Sequence, residues 1–381
     1  MKITILTFHP SLNCGAMLQA WALQKILTDL GHSVSFPKCN EFKAPRRFEF
    51  TFTRSTILGK LRNLIGWLIN EIYCFPITDL KFYRMYRFSK KFFQIVRYTT
   101  KQLEENNDLI IVGSDQVWHE NIAKTRLNFF LGEVFTGKTP LVGYALSWGD
   151  TSPSKTHITR LQRACERFKY VTVREPYAIP LLQTLTDKPI HSVVDPTLLL
   201  TAKDYEMLIP QKRLEARPYL FAYLVKRNDA ILQKVTQIAE SLGLRLVLVD
   251  VYRSPREKCR IKNKWAVTPD RFLNYIKYAE YVIVSSFHGC VFATLFKKPF
   301  IFLTDTPEIK NSRPSVLLET LYQTSRIASP NMPLQLLLAN LRMPLSPELD
   351  ILLDTLATES KARLLELIAT AQQDFNDCTM Y

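Results

Sequence analysis

Two hydrophobic rhythms alternate along the chain. Lys2 to Phe8 alternates into a short strand, and short apolar-rich runs, some with one or two polar residues, fall at Ser33 to Phe36, Asp108 to Val112, Pro140 to Leu146, Tyr170 to Val173 and His191 to Val194. Continuous apolar runs of this length predict strands of a parallel sheet covered on both faces. Between them apolar residues return at helical spacing, as in Ala16, Leu18, Ala20, Leu23, Ile26, Leu27 and Leu30, closed by Gly31. A further helix is predicted from Ser154 to about Phe168. After a polar link around Ala202 to Arg217 the alternation resumes. Strands are predicted at Tyr219 to Val225, Leu244 to Val249, Tyr281 to Val284 and Phe300 to Leu303. Helices are predicted at Asp229 to Leu242, Pro269 to Ala279, Cys290 to Phe296 and Ser315 to Leu321, with a helical tail from Pro347 to about Phe375. The pattern predicts an α/β protein made of two Rossmann-like domains facing across a cleft, residues 1–200 and 201–330, followed by a tail at 331–381.

Each apolar run stops at a polar cluster, and in open α/β sheets the carboxyl ends of the strands bind ligands. The clusters are the loop with Asn13 and Gly15, then Ser114-Asp115-Gln116, Arg174-Glu175, Asp195-Pro196, and Ser285-Ser286-Phe287-His288-Gly289. The last precedes a helix, whose unpaired N–H groups favour an anion. A histidine there can pass a proton beside that anion, although a histidine packed as a structural residue satisfies the same pattern. Asn13 and Asp115 suit helix caps as well as ligand contacts, and Asp195 before proline suits a turn better than catalysis.

Composition narrows the classes. The 47% hydrophobic and 22% charged fractions are those of a globular protein. Seven cysteines without a C-x-x-C pair argue for a reducing compartment and against a zinc site. The short apolar start, broken at His9-Pro10, is not expected to be a signal peptide, and no apolar stretch is long enough to span a bilayer. A cytoplasmic location is therefore expected. Gly132 to Thr139 fits the P-loop pattern, but Pro140 and a strand follow where a helix is required, so a turn is expected.

The formal charge is +15, and thirteen basic residues against three acidic ones lie between Lys43 and Lys101. This segment, at about 43–101, reads as a helical insertion. It holds an amphipathic helix from Ile57 to Ile72 and aromatic residues, Phe82 to Tyr98, interleaved with lysines and arginines. A solvated basic face explains it most simply. An anionic membrane surface comes next, and nucleic acid last, because no nucleic-acid motif accompanies it.

Taken in order, N-C-G-A-M-L-Q-A, D-L-I-I-V-G-S-D-Q-V-W, V-R-E, V-V-D-P-T-L-L and V-S-S-F-H-G-C-V-F-A followed by K-K-P-F resemble the polysaccharide pyruvyl transferase family, over roughly Met1 to Arg326. Cys14 stands where an aromatic residue is usual. The resemblance implies the glycosyltransferase-B architecture and transfer of a pyruvyl group from phosphoenolpyruvate to sugar hydroxyls, forming a ketal. In that scheme Arg174, Ser286, His288, Gly289 and Arg313 hold phosphoenolpyruvate, and His288 is the acid that protonates its methylene carbon. Asn13, Gly15, Ser114, Asp115 and Gln116 face the acceptor, with Asp115 as a candidate base. The co-substrate replaces any cofactor, no metal is needed, and the acceptor is a polysaccharide or lipid-linked oligosaccharide precursor. The alternatives are a nucleotide-sugar glycosyltransferase and a non-catalytic scaffold at a membrane surface.

Overall fold

A computed structural model describes residues 1–9, 11–38, 80–149, 152–225, 229–250, 266–308 and 312–379. The expected helix at Ile57 to Ile72 and the first half of the basic segment lie outside these residues.

The first domain is built from β1 (Lys2–Leu6), α1 (Cys14–Asp29), β2 (Ser33–Pro37), α2 (80–92), β3 (Ile95–Val96), α3 (Thr100–Glu105), β4 (Leu109–Val112), α4 (Glu120–Ala123), α5 (Leu127–Phe130), β5 (Leu141–Leu146), α6 (Lys155–Arg167), β6 (Tyr170–Val173), α7 (Ile179–Gln183) and β7 (Ile190–Ser192). Its strands form one parallel sheet in the order β3-β2-β1-β4-β5-β6-β7. After α8 (Ala202–Glu206) the second domain follows with β8 (Tyr219–Leu224), α9 (Asp229–Ser241), β9 (Arg245–Asp250), α10 (Pro269–Tyr278), β10 (Tyr281–Val284), α11 (Phe287–Leu295), β11 (Phe300–Leu303), α12 (Arg313–Thr320), β12 (Ile327–Ala328) and α13 (Leu334–Arg342). The order of this sheet is β12-β11-β10-β8-β9, again parallel. Both sheets are buried on both faces, as the apolar runs require: β4, β5, β6, β8 and β11 are buried at every residue.

The last helix, α14 (Leu349–Thr379), starts beside the second domain, where Lys297 Nζ lies 2.6 Å from Asp350 Oδ2. It then returns to the first, where the Ser360 hydroxyl accepts from the Val194 N–H at 3.0 Å and Leu364, Leu367 and Ile368 are buried. No helix among the described residues is long and apolar enough to cross a membrane.

Several expectations need correcting. The helix expected from Cys290 begins at Phe287, because the Ser286 hydroxyl caps it by accepting from the Gly289 N–H at 3.1 Å. His288 and Gly289 therefore sit in the first turn rather than in a loop. The strand expected at His191 to Val194 lies at Ile190–Ser192, and α8 lies inside the stretch read as a polar link. Of the aromatic residues in the basic segment, Phe88 and Phe93 belong to the core. The P-loop-like stretch is a turn whose amides hold an internal anion: Glu104 accepts from Thr136 N at 2.9 Å and from Gly137 N at 3.1 Å.

Candidate active site

At the carboxyl edge of the first sheet, Arg174 follows β6 directly and is buried. Its Nε donates to Glu175 Oε1 at 2.8 Å, its Nη1 donates to Asp195 Oδ2 at 2.9 Å, and Asp115 Oδ1 lies 3.7 Å from Nη2. The guanidinium also stacks over the Phe287 ring, 4.6 Å from its centroid. Burial alone would discourage the charge, but Glu175, Asp195 and Asp115 together hold its pKa above the usual arginine value. One group is left over: Arg174 Nη2 is buried without a hydrogen-bond partner among the described residues.

Asp195 anchors the cluster. Its Oδ1 accepts from the Thr197 N–H at 3.0 Å and from the Thr197 hydroxyl at 2.6 Å, while Oδ2 accepts from the Ser114 hydroxyl at 3.0 Å as well as from Arg174. Burial disfavours the ionised carboxylate, yet His288, Arg174 and Thr197 hold its pKa well below the usual range. The turn role expected of Asp195 is present in the bonds to Thr197, but it is only half of what the residue does. His288 Nε2 lies 3.7 Å from Asp195 Oδ2, ion-pair rather than hydrogen-bond distance, and among the described residues this buried nitrogen has no hydrogen-bond partner. A buried N–H or imidazole nitrogen left unpaired is costly, so two of them beside one carboxylate mark a place built to meet a further polar group.

The two domains touch here. Arg313, the first residue of α12, donates from Nη1 to Asp115 Oδ1 at 3.1 Å, so that carboxylate stands between arginines of opposite domains. Asp115 adopts a left-handed backbone conformation, φ 78°, which aspartate tolerates better than most residues. It does not cap the next helix, whose cap is His119. Gly15, near the start of α1, meets the histidine face on: a Cβ at that position would lie 2.4 Å from His288 Nδ1 and 2.7 Å from His288 Cβ. Hydrogen is the only side chain that this approach admits. Asn13 caps α1 by accepting from the Gly15 N–H at 2.9 Å, and the Tyr223 hydroxyl of the second domain reaches the same Asn13 oxygen at 3.5 Å. The first turns of α1 and α11 thus meet at the cleft.

The structure therefore brings together Arg174, Asp115, Arg313, His288 and Gly15 of the sequence-predicted residues. Ser114 is fully buried and orients Asp195, Ser286 is occupied as a helix cap, and the Gln116 amide lies against Gly149. Glu175, named at its strand end but given no role, and Thr197, not singled out, both join the cluster. A cavity of ≈ 570 Å³ opens beside the cluster, between Arg174, Asp195, Phe287 and Arg313 on one side and Leu356, Glu359 and Arg363 of α14 on the other. Among the described residues, no three of His, Cys, Asp and Glu are grouped as a metal site.

Two parallel-sheet domains with a polar cleft between their strand ends have the glycosyltransferase-B architecture. Solved structures of other proteins are similar, one of them with a TM-score above 0.5. UDP-GlcNAc 2-epimerase of Methanocaldococcus jannaschii, in complex with UDP-GlcNAc and UDP, shares 14% identity over 96% of this chain and 99% of its own, with a TM-score of 0.51. The S. aureus MnaA–UDP structure has 12% identity over 89% and 87% at a TM-score of 0.48. The Neisseria meningitidis UDP-GlcNAc 2-epimerase bound to UDP-GlcNAc has 12% identity over 99% and 94% at 0.46. Comparison with the curated proteins finds no significant match. The sequence profile of the polysaccharide pyruvyl transferases matches residues 13–306, and the chain belongs to that family.

Proposed function

We propose that the chain transfers a pyruvyl group from phosphoenolpyruvate to hydroxyls of a sugar in a polysaccharide or lipid-linked oligosaccharide precursor, closing a pyruvate ketal. The observation that carries this reading is the pair of buried unpartnered nitrogens, Arg174 Nη2 and His288 Nε2, at the contact between the domains. Arginine suits a carboxylate or phosphate, and the first turn of α11 adds backbone N–H groups for the same charge.

His288 protonates the methylene carbon of the enol, and positive charge develops at the neighbouring carbon. A sugar hydroxyl attacks that carbon and loses its proton to Asp115. The bond to the phosphate oxygen then breaks, the phosphate leaving with the proton held by Asp115, and a second sugar hydroxyl takes the vacated position and returns its proton to His288. One phosphoenolpyruvate and one diol give one ketal and one inorganic phosphate, so no cofactor or metal is called for. The adjoining cavity has the size of a small-ligand site and suits the sugar. The enzyme works in the cytoplasm, at the inner face of the membrane when the acceptor is lipid-linked, as in capsule or exopolysaccharide assembly. Nucleic acid is not among its partners.

The rival reading is nucleotide-sugar chemistry, favoured by the fold shared with a UDP-GlcNAc-bound enzyme. A thermal-shift panel separates the two. Phosphoenolpyruvate at about 100 times its Kd should stabilise the protein by about 2.7 kcal/mol, and UDP-GlcNAc should not. The reverse result removes the proposal. His288→Ala should keep the phosphoenolpyruvate shift and lose product formation, followed by mass spectrometry with a panel of saccharides and lipid-linked saccharides; an active variant rules out the acid role.

A further inference from the structure

We propose that the outward face of α2 docks on an anionic lipid bilayer. The proposal deepens the reading above in its lipid-linked form, but it stands on separate observations.

The helix at 80–92 carries Lys81, Arg84, Arg87, Lys90 and Lys91 and no acidic residue. Its inner face is accounted for: Met85, Phe88 and Ser89 are buried, and Gln24 of α1 donates to the Phe92 carbonyl at 2.8 Å. The opposite face is not polar, as a solvent-facing helix should be. Phe82 is 41% exposed, Tyr83 56%, Tyr86 36% and Leu80 42%. Residues 82, 83, 86, 87 and 90 form one stripe at helical spacing, so rings and cations share it. The Arg87 guanidinium lies 5.9 Å from the Tyr83 ring centroid and the Lys90 ammonium 5.2 Å from that of Tyr86. Aromatic rings settle at the level of lipid headgroups and cations pair with their phosphates, so a bilayer interface uses both halves of this stripe at once. A single-stranded nucleic acid would use the same residue types, but it is held in a groove that tracks its backbone, whereas this face is the convex side of a helix.

The position of the helix adds a reason. Arg84 Nη1 donates to the Ala266 carbonyl at 3.2 Å, and the Cys14 thiol meets the next carbonyl, Val267, at 3.5 Å. Arg84 of α2 and the first residue of α1 therefore meet neighbouring carbonyls, so this part of α2 borders the end of α1 that meets His288. A bilayer held on α2 would present a lipid-anchored sugar at the mouth of the cleft.

The test uses the full chain and vesicles of phosphatidylcholine with or without phosphatidylglycerol. Two variants avoid Arg84: R87Q with K90Q and K91Q, and F82S with Y83S and Y86S. Wild type should sediment with the anionic vesicles. The charge variant should lose about 100-fold in partitioning, from roughly fivefold per cation, and the ring variant at least about tenfold from the lost apolar contact. All three proteins should keep the same phosphoenolpyruvate-induced thermal shift, so a lost shift would count against the reaction and not against the surface. Wild type and both variants binding alike, or no binding at all, overturns the proposal. So does retention of single-stranded RNA by α2 residues without vesicle binding.

Discussion

Replacing Gly15 with alanine tests the site at its tightest point. The new Cβ would lie 2.4 Å from His288 Nδ1, 2.5 Å from Cγ and 2.7 Å from Cβ. An ordinary contact needs about 3.4 Å or more, so the histidine must retreat by roughly 1 Å. Rotating the ring is not enough, because the His288 Cβ itself is in the way; the start of α11 must move from α1. A displacement of this size at reacting groups costs about 100-fold in rate. The helix itself loses nothing, since alanine in place of glycine favours it by about 0.8–1 kcal/mol. The expected result is a folded protein with a melting temperature within a few degrees of wild type and a turnover lower by about two orders of magnitude. The assay is phosphate release from phosphoenolpyruvate, with the acceptor identified by mass spectrometry, alongside a melting curve. Wild-type turnover in Gly15→Ala would refute the placement of His288 at the reacting carbon.

Three further outcomes are expected. Asp115→Asn removes the carboxylate that stands between Arg313 and Arg174, so phosphoenolpyruvate should bind several-fold more tightly while turnover falls by about 10²–10⁴-fold if Asp115 is the base; unchanged turnover in a titration of initial rates removes that role. Arg174→Ala should cost about 3–5 kcal/mol of stability in urea unfolding, because it strands the buried Asp195 and Glu175 carboxylates, and an unchanged midpoint would contradict the network. His9 is held neutral by burial among Phe36 and Phe93, its pKa lowered to about 3. Its unfolded value is higher, so its contribution is complete above about pH 6.5 and drains away as pH falls toward the folded value. The urea midpoint should fall between about pH 6.5 and 5, and His9→Phe should flatten that slope.

Much of the fold was legible because a parallel sheet buried on both faces leaves continuous apolar runs, and these dominate β1, β4, β5, β8 and β10. What the chain hides is short or distant. The β3 and β12 strands have two residues each, too few for any period. The α13 helix falls inside the helical tail expected at 331–381 but was not delimited as an element of its own, although Pro330-Asn331-Met332-Pro333 marks its start. Asp195 shows the second limit. Its turn is local, written in D-P-T, whereas its bonds to Ser114 and Arg174 join strand ends remote in sequence. The carboxyl-edge rule placed all three on one rim but could not pair them. Gly15 is subtler still: beside Asn13 it reads as part of a ligand loop, and only the approach of a second domain shows why no side chain fits.

The route of α14 bears on how the protein is made. Its packing against β5 and β6 closes a wall of the domain that leaves the ribosome first, yet α14 is synthesised after both sheets. The first domain is thus completed after the second, its β5–β6 flank being covered by a helix that the chain supplies later. Translation order and structural completion run in opposite directions in this chain.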